Sequence, residues 1–159
     1  MDAHHEVKFI GIDPGAKGAW AMLDAAGSIL ALHDFPGDEV SLCQQIASYE
    51  LQGARGALEF VHSMPGQGVA STFKFGANYG LWRGILAAKQ IPFELVRPQV
   101  WKKEFIKPSD AVPGKSAEVI TAGRLFPHAP LHGPRGGVYD GRAEALLIAE
   151  WLRRRTKQT

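Results

Sequence analysis

Three apolar runs crowded into the first 35 residues constrain this chain most. They are Val7 to Asp13, Gly18 to Asp24 and Ile29 to Phe35, and only a few residues separate each from the next. Parallel strands need a crossover of about a dozen residues or more, so runs joined this tightly have to pair antiparallel. The chain therefore begins as a three-stranded meander, with Ala26-Gly27-Ser28 as one of its turns.

Beyond Pro36-Gly37-Asp38 the period changes. Leu42, Ile46 and Tyr49, with Leu51, mark a helix by their spacing. Residues 54–61 read as a fourth strand, Val69 to Gln90 as a long helix and Ile91 to Val96 as a fifth strand, which Arg97-Pro98 ends. Helices follow over Val100 to Ile106, Lys115 to Phe126 and Asp140 to Arg155. Residues 107–114 and the stretch Pro127 to Tyr139 are loops. This order predicts an α/β fold, a mixed five-stranded sheet with helices on both faces. The 159 residues suit a single domain over 1–159, with 1–6 and 156–159 as flexible ends. Gly76, Gly80 and Gly84 recur every four residues in the long helix and permit the close approach of another element.

Apolar residues make up 45% of the chain and charged residues 21%, the balance of an ordinary soluble globular protein. No apolar run is long enough to span a bilayer, and the N-terminus lacks a signal-peptide pattern, so a cytoplasmic location and no membrane partner are expected. A single cysteine, Cys43, excludes a disulfide framework and a zinc site built on several thiolates. Its setting among helically spaced apolar residues reads as a core filler. The net charge of +2 conceals an asymmetry. Residues 1–59 carry 3 Lys/Arg against 9 Asp/Glu, residues 60–115 carry 8 against 3, and residues 116–159 carry 7 against 4. An acidic first third followed by basic segments suits a site that holds metal beside a polyanion, although uneven solvated surface charge gives the same totals.

Four carboxylates stand in distinctive places. Asp13 closes the first apolar run, before Pro14-Gly15, and Glu59 closes Gly56-Ala57-Leu58. Asp140 and Glu144 open an apolar helix, four residues apart and so on one face. A carboxylate at the end of a buried strand is costly unless something compensates its charge, and hard divalent cations take oxygen ligands. Simpler readings exist for each: a strand-ending turn at Asp13-Pro14-Gly15, an N-cap at Asp140, an ion pair near Arg142 for Glu144. Glu59 has the weakest alternative, because a Glu in an apolar strand demands an explanation.

The run Ile10-Gly11-Ile12-Asp13-Pro14-Gly15, the Glu59 strand and Asp140-Gly141-Arg142-Ala143-Glu144-Ala145 together resemble the RuvC-type Holliday junction resolvases. Phage-encoded members are most similar, through these blocks and Ser63-Met64-Pro65-Gly66-Gln67-Gly68. The likeness runs from Phe9 to about Trp151. It implies a ribonuclease H-like fold, a homodimer, and cutting of four-way or other branched DNA with two Mg²⁺ or Mn²⁺ ions per site, in a bacterial or phage-infected cell. By resemblance Asp13 is the ligand shared by both ions, Glu59 holds one of them, and Glu144 and Asp140 match the acidic pair of the last helix. Well-known members space that pair three apart, whereas here it is four. Two ions about 3.5–4 Å apart activate water and stabilise the leaving oxygen of an in-line displacement. Alternatives within reach of the sequence are a ribonuclease H-like nuclease acting on other branched DNA or on RNA-DNA hybrid, and a catalytically silent junction-binding module.

DNA contacts are expected from basic residues. Lys115 opens a helix, where amides and a cation hold phosphate, or is simply solvated. Lys102 and Lys103 suit charge neutralisation, and Lys74 and Arg83 lie on the long helix, facing DNA or solvent. His62 falls near the place where the family carries a base-stacking aromatic. Phe73 reads as core rather than wedge, His128 and His132 as loop residues, and Trp82, Trp101 and Trp151 as core or interface.

Overall fold

The structure, a computed structural model, describes residues 6–60 and 68–157. Strands β1 (Lys8–Asp13), β2 (Ala19–Leu23) and β3 (Ile29–Asp34) come first, then α1 (Glu39–Ala47), β4 (Ala54–Glu59), α2 (Val69–Ala88) and β5 (Phe93–Val96). Helix α3 (Pro98–Phe105), a 3₁₀ turn at Pro108–Asp110, α4 (Ala117–Leu125) and α5 (Asp140–Thr156) complete the order. The sheet runs β3-β2-β1-β4-β5. β1 to β3 form the expected antiparallel meander, and β4 and β5 join parallel to β1. The mixed five-stranded sheet with helices on both faces is thus the fold class that the sequence order predicted.

Alternation along β1 sends successive side chains to opposite faces. Ile10 and Ile12 join Leu58, Leu42, Ile46, Trp82 and Leu86 in the layer under α1 and α2. Phe9 joins Ala57, Val96, Trp101, Phe105 and the buried face of α5 in the other layer. Helix α5 lies directly on β1 at Gly11. A Cβ there would fall inside the van der Waals reach of the Ala145 carbonyl oxygen and the Ala149 amide nitrogen. Both obstacles are backbone and cannot rotate away. Gly11→Ala is therefore expected to destabilise the protein by about 3 kcal/mol or more, at the upper end for overpacking. Denaturant unfolding measures it, and an unchanged midpoint would mean that α5 does not lie this close.

Several local expectations are corrected. Cys43 is exposed, because Leu42 and Ile46 set the buried stripe and Cys43 lies about 100° round the helix from Leu42. Phe73 is 77% exposed, because α2 turns Trp82 and Leu86 toward the sheet. The residue that caps α5 is Tyr139, and Asp140 is the first helical residue. Helix α2 stops two residues early, with Gln90 at φ 55°. Helix α3 starts two residues early, since a proline with fixed φ fits a first helical turn. Trp82, Trp101 and Trp151 are all buried.

Candidate metal centre

β1 and β4 are adjacent and parallel, with Ile12 opposite Leu58. The next residue of each strand, Asp13 and Glu59, therefore stands at the same, C-terminal edge. Alternation puts both on the face that α5 covers, since Gly11 and Ala57 precede them by two. Helix α5 starts at this edge, and Glu144 lies one turn into it. Carboxylate oxygens of Asp13, Glu59 and Glu144 all come within 4.8 Å of one another. The acids converge from elements distant in sequence, and each is oriented by a donor. The Gly15 amide donates to Asp13 Oδ1 at 3.0 Å. The Trp101 indole N–H donates to Glu59 Oε1 at 3.1 Å. Lys102 Nζ donates to Glu144 Oε1 at 3.2 Å and to Glu118 Oε1 at 2.8 Å.

Three acids beside one shared lysine leave negative charge uncompensated. Burial pushes the Asp13 carboxyl up, against the opposing pull of the Gly15 amide. Glu59, only 5% exposed, is pushed up to about 7 by burial and then by the Asp13 charge. Glu144 is pushed up to about 8 by burial, Asp13 and Glu59. This is the signature of anions gathered without their counter-charge.

The sign of the pH dependence follows. An acid whose folded pKa is raised binds more protons folded than unfolded, so stability falls as pH rises between the two values. Metal-free protein is expected to lose stability from about pH 4.5, the ordinary value for Glu, up to about 8. Divalent metal should restore it, and by more at pH 8 than at pH 5. Melting curves across this range, in chelator and in Mg²⁺, provide the check. A flat metal-free profile would contradict the raised carboxyls.

Asp140 is not part of this group. It is exposed and lines a separate cleft of about 480 Å³ with Lys17, Asp34, Phe35 and Tyr139. Arg142, its neighbour, pairs with Asp34 at 2.7 Å rather than with Glu144. Three residues before Glu144 stands Gly141, and no side chain fits there. A Cβ would run into the Lys17 carbonyl oxygen and lie 3.0 Å from Gly18 Cα. The Lys17–Gly18 turn thus occupies the space that an acid at a spacing of three would need.

Of the remaining sequence candidates, Lys102 belongs to the carboxylate cluster. Lys103, Lys74, Arg83 and Lys115 are exposed. Arg83 lies 5.7 Å from the Tyr79 ring centroid. His62 and Ser63 to Gln67 fall outside the described residues. His128 and His132 are exposed and take no part in the carboxylate group. Sequence reasoning missed Trp101 as a donor and did not single out Glu118. Trp101 and Lys102 each lie 42 residues from the carboxylate they meet, and no local pattern announces such pairs.

No protein-family model and no curated protein sequence matches the chain. Solved structures do. A Thermus thermophilus RuvC structure superposes with a TM-score of 0.63 over 94% of this chain and 98% of that one, at 15% identity. T. thermophilus RuvC in complex with Holliday junction substrate gives 0.62 over 90% of each chain, at 13% identity. At such identity the likeness is one of fold: the RuvC, ribonuclease H-like arrangement of a mixed five-stranded sheet flanked by helices.

Proposed function

We propose that this chain is a metal-dependent DNA endonuclease that cuts four-way junctions, with two subunits making paired cuts. The convergence of Asp13, Glu59 and Glu144 carries the reading. Three carboxyls, two of them held near or above neutrality, have few reasons to share one spot except to bind cations. The donor set fits: it is all oxygen, as Mg²⁺ and Mn²⁺ prefer. Asp13 would be the shared ligand of a pair of ions, the role that the resemblance gives it, with Glu59 and Glu144 completing the group. Bound there, two divalent ions supply Lewis-acid activation of water and stabilise the leaving oxygen. The protein's own part is to hold the acids in place through the Gly15 amide, the Trp101 indole and Lys102. The fold shared with a RuvC solved on a Holliday junction supports the choice of substrate.

Exposed Lys74, Arg83, Lys103 and Lys115 are the proposed contacts to DNA phosphates. A four-way junction is two-fold symmetric, and a C₂ dimer presents two sites related by the same symmetry. Helix α2 is the proposed interface. Among the described residues a Cβ at Gly76, Gly80 or Gly84 would meet nothing within 4 Å, which leaves room there for another chain. Val69 and Phe73, at 87% and 77% exposed, add apolar surface.

The experiment offers purified protein a four-way junction, a flap, a duplex and an RNA-DNA hybrid, with Mg²⁺ and with chelator. Paired symmetric cuts in the junction alone, only with metal, are expected. Preferential cutting of the hybrid or flap would replace resolution by another ribonuclease H-like activity. Equal cutting in chelator would remove the metal. Among the described residues no helix is long and apolar enough to cross a membrane.

A further inference from the structure

Lys102 is the cation of the carboxylate cluster, and two acids share it. One is Glu144, which belongs to the metal group; the other is Glu118, which does not. Glu118 sits in the first turn of α4, where the helix dipole favours an anion. It also accepts from Ser116 Oγ at 3.2 Å, and that serine caps the same helix. Glu118 is therefore fixed from its own helix, independently of the cluster. It holds Lys102 more closely than Glu144 does, 2.8 Å against 3.2 Å.

This arrangement has a consequence for metal loading. A dication on the Glu144 carboxylate and an ammonium on the same carboxylate repel each other strongly in a partly buried site. Lys102 must leave Glu144 as metal arrives. A half-buried ammonium moved off one anion is costly unless a second anion is already in reach. Glu118 is in reach, and the transfer requires only the loss of the longer of two existing contacts.

We propose that Lys102 is a place-holding cation that divalent metal displaces from Glu144, and that Glu118 is the positioning residue that keeps it when displaced. Glu118 so sets how readily the centre loads. The proposal rests on the metal reading above and adds a residue and a direction to it.

Calorimetric titration of the full chain with Mn²⁺, without DNA, tests it. Glu118→Gln keeps shape and removes the charge that receives the lysine, so Mn²⁺ should bind about tenfold more weakly. Lys102→Met removes the competitor, so Mn²⁺ should bind about tenfold more tightly, while the metal-free protein melts lower for want of its cation. In the double variant the Glu118 effect should vanish, because no lysine remains to be positioned. Unchanged affinity in Glu118→Gln overturns the proposal, and that variant decides alone if Lys102→Met does not fold. Weakening that persists in the double variant also overturns it, because Glu118 would then act on the metal without the lysine, as a ligand or through its charge. Wild-type protein that binds no Mn²⁺ overturns the metal reading and this proposal together. Wild-type binding with an indifferent Glu118→Gln overturns this proposal only.

Discussion

Asp13→Asn is expected to abolish DNA cutting while leaving junction binding intact. The loss should exceed about a thousandfold. Even outer partners of metal ligands cost about 10- to 100-fold when removed, and Asp13 is proposed as a direct ligand of both ions. The substitution keeps shape and removes one negative charge from the cluster. On the proposed reading DNA would approach this edge as a polyanion, so affinity for the junction should hold or rise. A second readout is independent of catalysis. The Asp13 charge is one of the causes that raise the Glu59 and Glu144 carboxyls. Without it both should titrate lower, and metal-free protein at pH 8 should melt higher than wild type. Cutting that survives at more than a small fraction would remove Asp13 from the chemistry. Lost cutting together with lost binding would point to a misfolded β1 edge.

The strands were legible because each is a short apolar run ended by a turn, and the meander because its links are too short for anything else. β1 to β3 lie within a residue or two of their expected bounds. The three converging acids could be picked out for a related reason: each interrupts an apolar run, and a charge in that setting needs a partner. What the sequence could not provide is the rotation and contact of packed elements. Periodicity puts Asp140 and Glu144 on one side of α5. It does not say that the Lys17–Gly18 turn crosses that helix at Gly141, separating the two acids into different surroundings. Nor does spacing show which of two adjacent residues in α1 is buried: Leu42 is, Cys43 is not. Phe73 looked like core because it is apolar, but its side chain is 77% exposed on α2. Trp101, Lys102 and Glu118 reach the site only when α3 and α4 pack beside α5, a tertiary event without local signal.

That separation of the two acids on α5 leads to the second large effect. Glu144→Gln is expected to lower cutting by about 100-fold or more, as loss of a proposed direct ligand, and Asp140→Asn by less than about tenfold. Glu144 lies within 4.8 Å of the other two acids, whereas Asp140 is exposed on a cleft of its own. Four residues along a helix turn about 400°, so the two side chains are neighbours in direction but a full turn apart along the axis. Stability should move the other way. Asp140 is an acid in the first turn of α5, and its neutralisation should cost about 0.3–1 kcal/mol through the helix dipole. Glu144→Gln replaces a carboxyl that burial and its neighbours push up to about 8, so at pH 8 the metal-free variant is relieved of a charge it could hardly hold. It also takes one acceptor from Lys102, which keeps Glu118. Cleavage rates and metal-free melting curves on both variants decide the matter. An inactive Asp140→Asn beside a nearly normal Glu144→Gln would shift the reacting centre to the cleft lined by Lys17, Asp34 and Asp140, and Glu144 would then be no more than the ion-pair partner of Lys102.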